Sequence, residues 1–233
     1  MEVLITANFQ PDVFFWGVRV GEPMIALTSI LVASFCFYAW VRLGKIPLPG
    51  DALRLFRVFF LLLGFSTFIG GIVGHAFMHL FPLIFKTPGW VLGMIAVAAI
   101  EQVSIVRARS FLGARGVQVL TWLNSAQLIV ALSFVFATLW FPAVEIHSAI
   151  GFLLVVAPLE AKMYLNNRSA ASRFMLSGIL LLVGAVAIHI LKLSVDVWFC
   201  YFDIAHLMMC AAIWMFMRGA EQIAVDDLRP IAA

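Results

Sequence analysis

Five histidines, His75, His79, His147, His189 and His206, and one acid, Asp203, are the residues best suited to carry chemistry in this chain. Each lies near the same end of a long apolar run. Ionisable groups at membrane depth are costly, so they tend to line a cavity, hold a metal or cofactor, or move protons. His75 and His79 are four residues apart and Asp203 and His206 three apart, spacings that put each pair on one face of a continuous helix. Two such pairs supply the four nitrogen and oxygen ligands of a tetrahedral zinc, or three ligands plus water in a catalytic site. On this reading His75, His79, Asp203 and His206 are the metal ligands. Asp203, if it is not a ligand, orients a ligand histidine or accepts the proton of a metal-bound water. Histidines on facing helices also suit the axial positions of a haem. Met208, Met209 and Cys210 follow His206 and are of the soft type that binds copper, although apolar filling is their commoner use. A histidine near the interface can also do no more than bond to a neighbouring helix or to water. That is the expectation for His147 and His189.

The elements that position these residues follow from composition. The chain of 233 residues is 64% hydrophobic and 12% charged, whereas soluble domains run near half and a quarter. An all-α, polytopic membrane protein is expected. A spanning helix needs about 20 apolar residues, and seven runs qualify, at about 24–43, 56–80, 88–106, 117–139, 142–163, 172–190 and 197–217. Pro47, Pro49 and Gly50 break the first pair, Pro82 and Pro88 the second, Gly113 and Gly116 the third, Pro142 the fourth, and Asn166, Asn167 and Ser169 the fifth. Only Lys192 and Asp196 mark the sixth break. The domain division is therefore an interfacial segment over 1–23, a seven-helix transmembrane bundle over 24–217 and a frayed cytoplasmic tail over 218–233.

Of the 15 Lys and Arg residues, only Arg19, Lys86 and Lys192 fall on the side of the histidines. The positive-inside rule then puts the N-terminus outside and the C-terminus in the cytoplasm, the pattern of a bacterial inner-membrane protein. The net charge of +3 reflects this bias and is no argument for nucleic-acid binding. The opening Met-Glu-Val-Leu lacks the basic stretch of a cleavable signal. Cys36, Cys200 and Cys210 are odd in number and sit in apolar runs, which argues against a disulfide framework. Glu101 and Gln102 with Asn124 and Gln127 suggest an interhelical hydrogen-bonded layer, with a proton path or cavity lining as the alternative. Gly70 and Gly74 form a GxxxG step that would allow close helix approach near His75.

A late histidine in the second helix and an Asp/His group early in the seventh are carried by Gly-His-Ala-Phe-Met-His at 74–79 and Phe-Cys-Tyr-Phe-Asp-Ile-Ala-His-Leu at 199–207. With seven helices and an outside N-terminus, this resembles the superfamily of seven-helix transmembrane metal-dependent hydrolases that contains alkaline ceramidases, progestin and adipoQ receptors and Per1-like proteins. The resemblance implies a zinc held by one histidine of helix two and two of helix seven, with a serine and an aspartate nearby. In this chain Gly71 stands where the serine would precede His75, and Asp203-x-x-His206 stands where the superfamily has His-x-x-x-His.

The leading expectation is thus a zinc-dependent hydrolase of a lipid amide or ester, with His75, His206 and either His79 or Asp203 on the metal. The alternatives are a non-catalytic metal or haem carrier and a lipid- or partner-binding subunit of a membrane complex. Membrane lipid is the natural partner in the first case, other membrane subunits in the last.

Overall fold

The computed structural model describes residues 10–47 and 50–228. Phe9 and the rest of the first nine residues, and the last five residues of the expected tail, lie outside the described residues. The described residues are all-α apart from one short hairpin. Seven helices follow: α1 Pro23–Leu43, α2 Asp51–Ala76, α3 Leu83–Arg107, α4 Arg109–Thr138, α5 Pro142–Asn167, α6 Ala170–Leu191 and α7 Tyr201–Leu228. The first six are long and apolar enough to cross a membrane.

Each helix packs on the next, and α7 returns to lie against α1 while also flanking α6. This closes the bundle and puts the two ends of the chain's helical part side by side. The core is aromatic: Phe59 stands edge-on to Phe216 at 6.0 Å and Phe152 stacks on Phe216 at 5.8 Å. Such pairs contribute more than their buried area alone. Gly178 makes room for the Phe216 ring, since a Cβ there would stand 2.5 Å from it. Leu180, Val186 and Ile190 of α6 and Trp122 and Val130 of α4 face outward, as lipid-facing surfaces should.

Several boundaries differ from the sequence expectation, each for a local reason. α2 starts at Asp51, five residues early, and from Gly70 to Ala76 it widens into a π-helix before a 3-10 turn at Met78–Leu80. Three glycines in that stretch, Gly70, Gly71 and Gly74, lower its resistance to rewinding. The change of pitch breaks the four-residue stacking of His75 and His79. α4 begins at Arg109, yet Gly113 is non-helical inside it at φ 67° and ψ 174°, so the anticipated break survives as a kink. α7 starts at Tyr201, four residues late. Asp196 explains the delay: its Oδ1 accepts from the backbone N–H of Trp198 at 2.7 Å and Phe199 at 2.8 Å, a local turn that competes with helix. α7 then runs on to Leu228, where a frayed tail after Met217 was expected.

The N-terminal segment is a hairpin. Val13–Phe15 pairs with Val18–Val20, and Trp16 and Gly17 turn the chain with positive φ. Phe14, Phe15 and Trp16 are exposed at its tip, the pattern of an interfacial aromatic anchor. The N–H of Gly21 donates to the carbonyl of Ala76 at 2.9 Å, tying the hairpin to the π-helical end of α2.

Candidate functional site

The site is built where α1 and α7 begin and α2 and α6 end. The first N–H groups of a helix lack intrahelical partners, and at α1 they find one far away in sequence. Glu22 precedes Pro23 in the left-handed region at φ 43° and does not cap the helix with its side chain. Gln10 does so instead: its Oε1 accepts from the N–H of Met24 at 2.9 Å and of Ile25 at 3.1 Å. Its Nε2 donates onward to the carbonyl of Trp198 at 3.2 Å and to Oδ2 of Asp203 at 2.8 Å. One amide thus ties the entry of α1 to the entry of α7.

Asp203 is fully buried and its carboxylate is saturated by protein. Oδ2 also accepts from the N–H of Cys200 at 2.9 Å, the reach-back of an acid in the first turn to the residue before the helix. Oδ1 accepts from Oγ1 of Thr28 at 3.0 Å. Thr28 in turn lies 2.9 Å from Nδ1 of His206 and 3.1 Å from the carbonyl of Ile25. A hydroxyl has one proton. Both the carboxylate and the carbonyl can only accept, so the hydroxyl proton goes to one of them and Nδ1 of His206 must be the donor toward Thr28. The relay runs from Nδ1–H of His206 through Thr28 to Asp203 and leaves Nε2 as the ring's lone-pair nitrogen.

His75 is wired alike. Its Nδ1 lies 2.7 Å from Oε2 of Glu22, which is buried. A carboxylate accepts only, so Nδ1 carries a proton toward it. Phe202 lies 6.0 Å from His75 and 4.9 Å from His189, edge-on to both, and Tyr201 is 5.2 Å from His189. His75 and His189 both lie within electrostatic range of His206. Acids sit at the N-termini of α1 and α7 and histidines at the C-terminal ends of α2 and α6, where each sign is favoured by the helix dipole.

Of the expected ligands, the structure brings His75, Asp203 and His206 to one end of the bundle and leaves His79 exposed in the turn after α2. Asp203 reaches His206 through Thr28. Gln10, Glu22 and Thr28 are the residues that sequence reasoning missed. His189 joins the group although it was set aside as interfacial. The donor chemistry suits a borderline metal such as zinc, with two imidazoles held at Nδ1, His75 by Glu22 and His206 by Thr28 in front of Asp203. Among the described residues no three His, Cys, Asp or Glu side chains stand close enough to close a metal shell.

Other expectations change. Gly70 and Gly74 are not the close-approach residues, since a Cβ at either would meet nothing within 4 Å. Gly71 is, with Ala26 O at 3.1 Å and Ser29 Cβ at 3.0 Å from such an atom. His147 is buried rather than interfacial: Nε2 donates to the carbonyl of Met94 at 3.1 Å and Nδ1 accepts from Gln127 at 3.2 Å. It joins α3, α4 and α5. Gln102 donates to Thr121 at 2.9 Å and Asn124 to the carbonyl of Ala98 at 2.9 Å, the interhelical layer expected of them. At the far end of the bundle, Arg107 pairs with the buried Glu160, which also accepts from Ser104 at 2.7 Å.

The chain belongs to a family of unknown function, DUF6962, whose profile matches residues 24–225. Comparison with curated proteins and with solved structures finds no match. The matched range covers the helices that carry Thr28, His75, His189, Asp203 and His206 and leaves out Gln10 and Glu22.

Proposed function

We propose that the chain is a multi-pass, seven-span protein of the bacterial inner-membrane type, N-terminus outside, that binds zinc at the histidine end of the bundle and hydrolyses a lipid amide or ester. The observation that carries the reading is the pair of imidazoles held at Nδ1, His75 on Glu22 and His206 on Thr28 in front of Asp203, which leaves both Nε2 atoms to face a ligand. That is how ligand histidines are oriented and made more basic. The resemblance to the ceramidase-like superfamily points to the same two helices.

When bound, zinc would polarise the substrate carbonyl and bring a water's pKa toward neutrality. His75 and His206 would hold it, with His189 as the third nitrogen. Glu22 and the Thr28–Asp203 relay keep the two rings in the right tautomer, and Gln10 fixes Asp203. Lipid is the substrate class because the outer surfaces of the flanking helices are apolar and accessible from the hydrocarbon phase. Hydrolysis of amide- and ester-linked lipids by the protein in proteoliposomes, with and without a zinc chelator, tests this. Chelator-sensitive turnover that His206→Ala loses is expected. Zinc-independent turnover, or none from a zinc-loaded protein, rejects it.

A haem carrier is the second reading, because two oriented imidazoles on facing helices are the number a bis-histidine haem needs. A Soret band in the purified protein would select it over the hydrolase.

A further inference from the structure

Away from the histidine end, α3 carries an acid that the proposed site does not use. Glu101 is 0% exposed, and neither Oε1 nor Oε2 has a hydrogen-bond partner. It precedes Arg107 by six residues, about 9 Å along the axis, which places it inside the apolar layer. The interhelical layer that the sequence suggested for this position forms around it through Gln102 and Asn124 and leaves it out.

The neighbouring helix is shaped to receive the acid. α5 is π-helical from Ile150 to Val156. Pro158, which cannot donate to the carbonyl one turn back, gives a reason for the rewinding. Gly151 lies in that stretch, and a Cβ on it would stand 2.5 Å from Oε1 of Glu101 and 2.6 Å from Val97. The carboxyl head occupies the space of a missing side chain in a widened turn, a kind of distortion that recurs at functional sites.

No charge on the three packed helices answers it. On α5, His147 is committed to Met94 and Gln127, and Glu160 to Arg107 and Ser104. On α4, Asn124 donates to Ala98, and its Oδ1 is itself without a partner. On α2, Arg54 turns to Asp51; Arg57 turns to the Trp40 ring, its Nε buried without a hydrogen-bond partner, and makes no ion pair with Glu101; Phe56, Phe59 and Phe60 fill the core shared with α3. A lone carboxylate in such surroundings is far more costly than the neutral acid.

We propose that Glu101 is a proton-binding site: its carboxyl holds a proton while the α3–α5 contact at Gly151 is closed and releases it when that contact opens to water. The ligand is the proton itself, and the site is independent of any metal at the histidine end.

The test is infrared spectroscopy on the full-length protein in lipid at neutral pH, with carbodiimide labelling alongside. A carboxylic-acid carbonyl band present in the parent and missing from Glu101→Gln is the expected result. Glutamine has nearly the same volume and needs no proton, so the fold should survive. Dicyclohexylcarbodiimide, an apolar reagent, adds the carboxyl O–H across one of its C=N bonds: the oxygen bonds the central carbon, the proton goes to nitrogen, and nothing leaves. The acyl group then shifts to nitrogen, and mass spectrometry of the parent alone should find the stable adduct on Glu101. Absence of the carbonyl band at neutral pH overturns the proposal, whether or not the variant folds. Protection by sodium, unmatched by raising the pH, would make this a metal-cation site and overturn it equally.

Discussion

Replacing Asp203 by Asn should cut the relay behind His206 at Thr28 and leave the bundle folded. In the native site the carboxylate accepts from Gln10, from the N–H of Cys200 and from Thr28. An asparagine keeps two of these by facing its oxygen toward Gln10 and Cys200. Its NH2 then points at Thr28, whose hydroxyl accepts and turns its own proton to the carbonyl of Ile25 at 3.1 Å. Nδ1 of His206 stays the donor toward Thr28, but no carboxylate stands behind it. Hydrogen bonds to a charged group contribute about 1.5–3 kcal/mol and neutral ones about 0.5–1.5. Two bonds weakened by about 1 kcal/mol each and one reversed give a loss of about 3 kcal/mol. Asp203→Ala leaves three donors unmatched at about 1–3 kcal/mol each, so its loss should be on the order of 5 kcal/mol. Nitrogen-15 shifts of labelled histidine in lipid nanodiscs report the tautomer, and unfolding in detergent ranks the stabilities. A parent His206 that carries its proton on Nε2, or equal destabilisation by Asn and Ala, would refute the relay.

Three further outcomes follow from the packing. His147→Ala removes two hydrogen bonds and opens a cavity between α3, α4 and α5, so a loss of about 2–4 kcal/mol is expected in an unfolding titration. Gly178→Ala should destabilise by about 1–3 kcal/mol because it strikes the buried Phe216 ring, whereas Gly70→Ala meets nothing and should be neutral or slightly stabilising. The three native cysteines are buried, so single cysteines can report topology. Val195→Cys should react with an impermeant maleimide on intact cells and Asn166→Cys should not, and the reverse pattern would invert the orientation.

The sequence was most readable where a helix is regular. Apolar runs located all seven helices, and the one-sided distribution of histidines pointed to the end of the bundle where His75, Asp203 and His206 meet. Pattern reasoning failed where the backbone departs from the α pitch. The i, i+4 reading of His75 and His79 assumed a continuous α-helix, and the π segment with its following turn sends His79 to the surface. Gly71 rather than Gly70 and Gly74 makes the close approach for a similar reason. Gln10 could not be foreseen, because a cap supplied from across a hairpin has no local signature. Glu22 falls just before the first apolar run, and an acid beside Pro at a helix entry is well placed to answer a histidine at a neighbouring helix exit. Thr28 carries no charge, and only its distances reveal that it links Asp203 to His206.

Metal content of the purified protein tests the central claim most directly, measured by mass spectrometry after exposure to zinc and removal of excess. The wiring of His75 and His206 predicts stoichiometric zinc in the parent and in His79→Ala, and loss of zinc in His75→Ala and His206→Ala. A parent that stays metal-free, or zinc retained when both His75 and His206 are replaced, would contradict it.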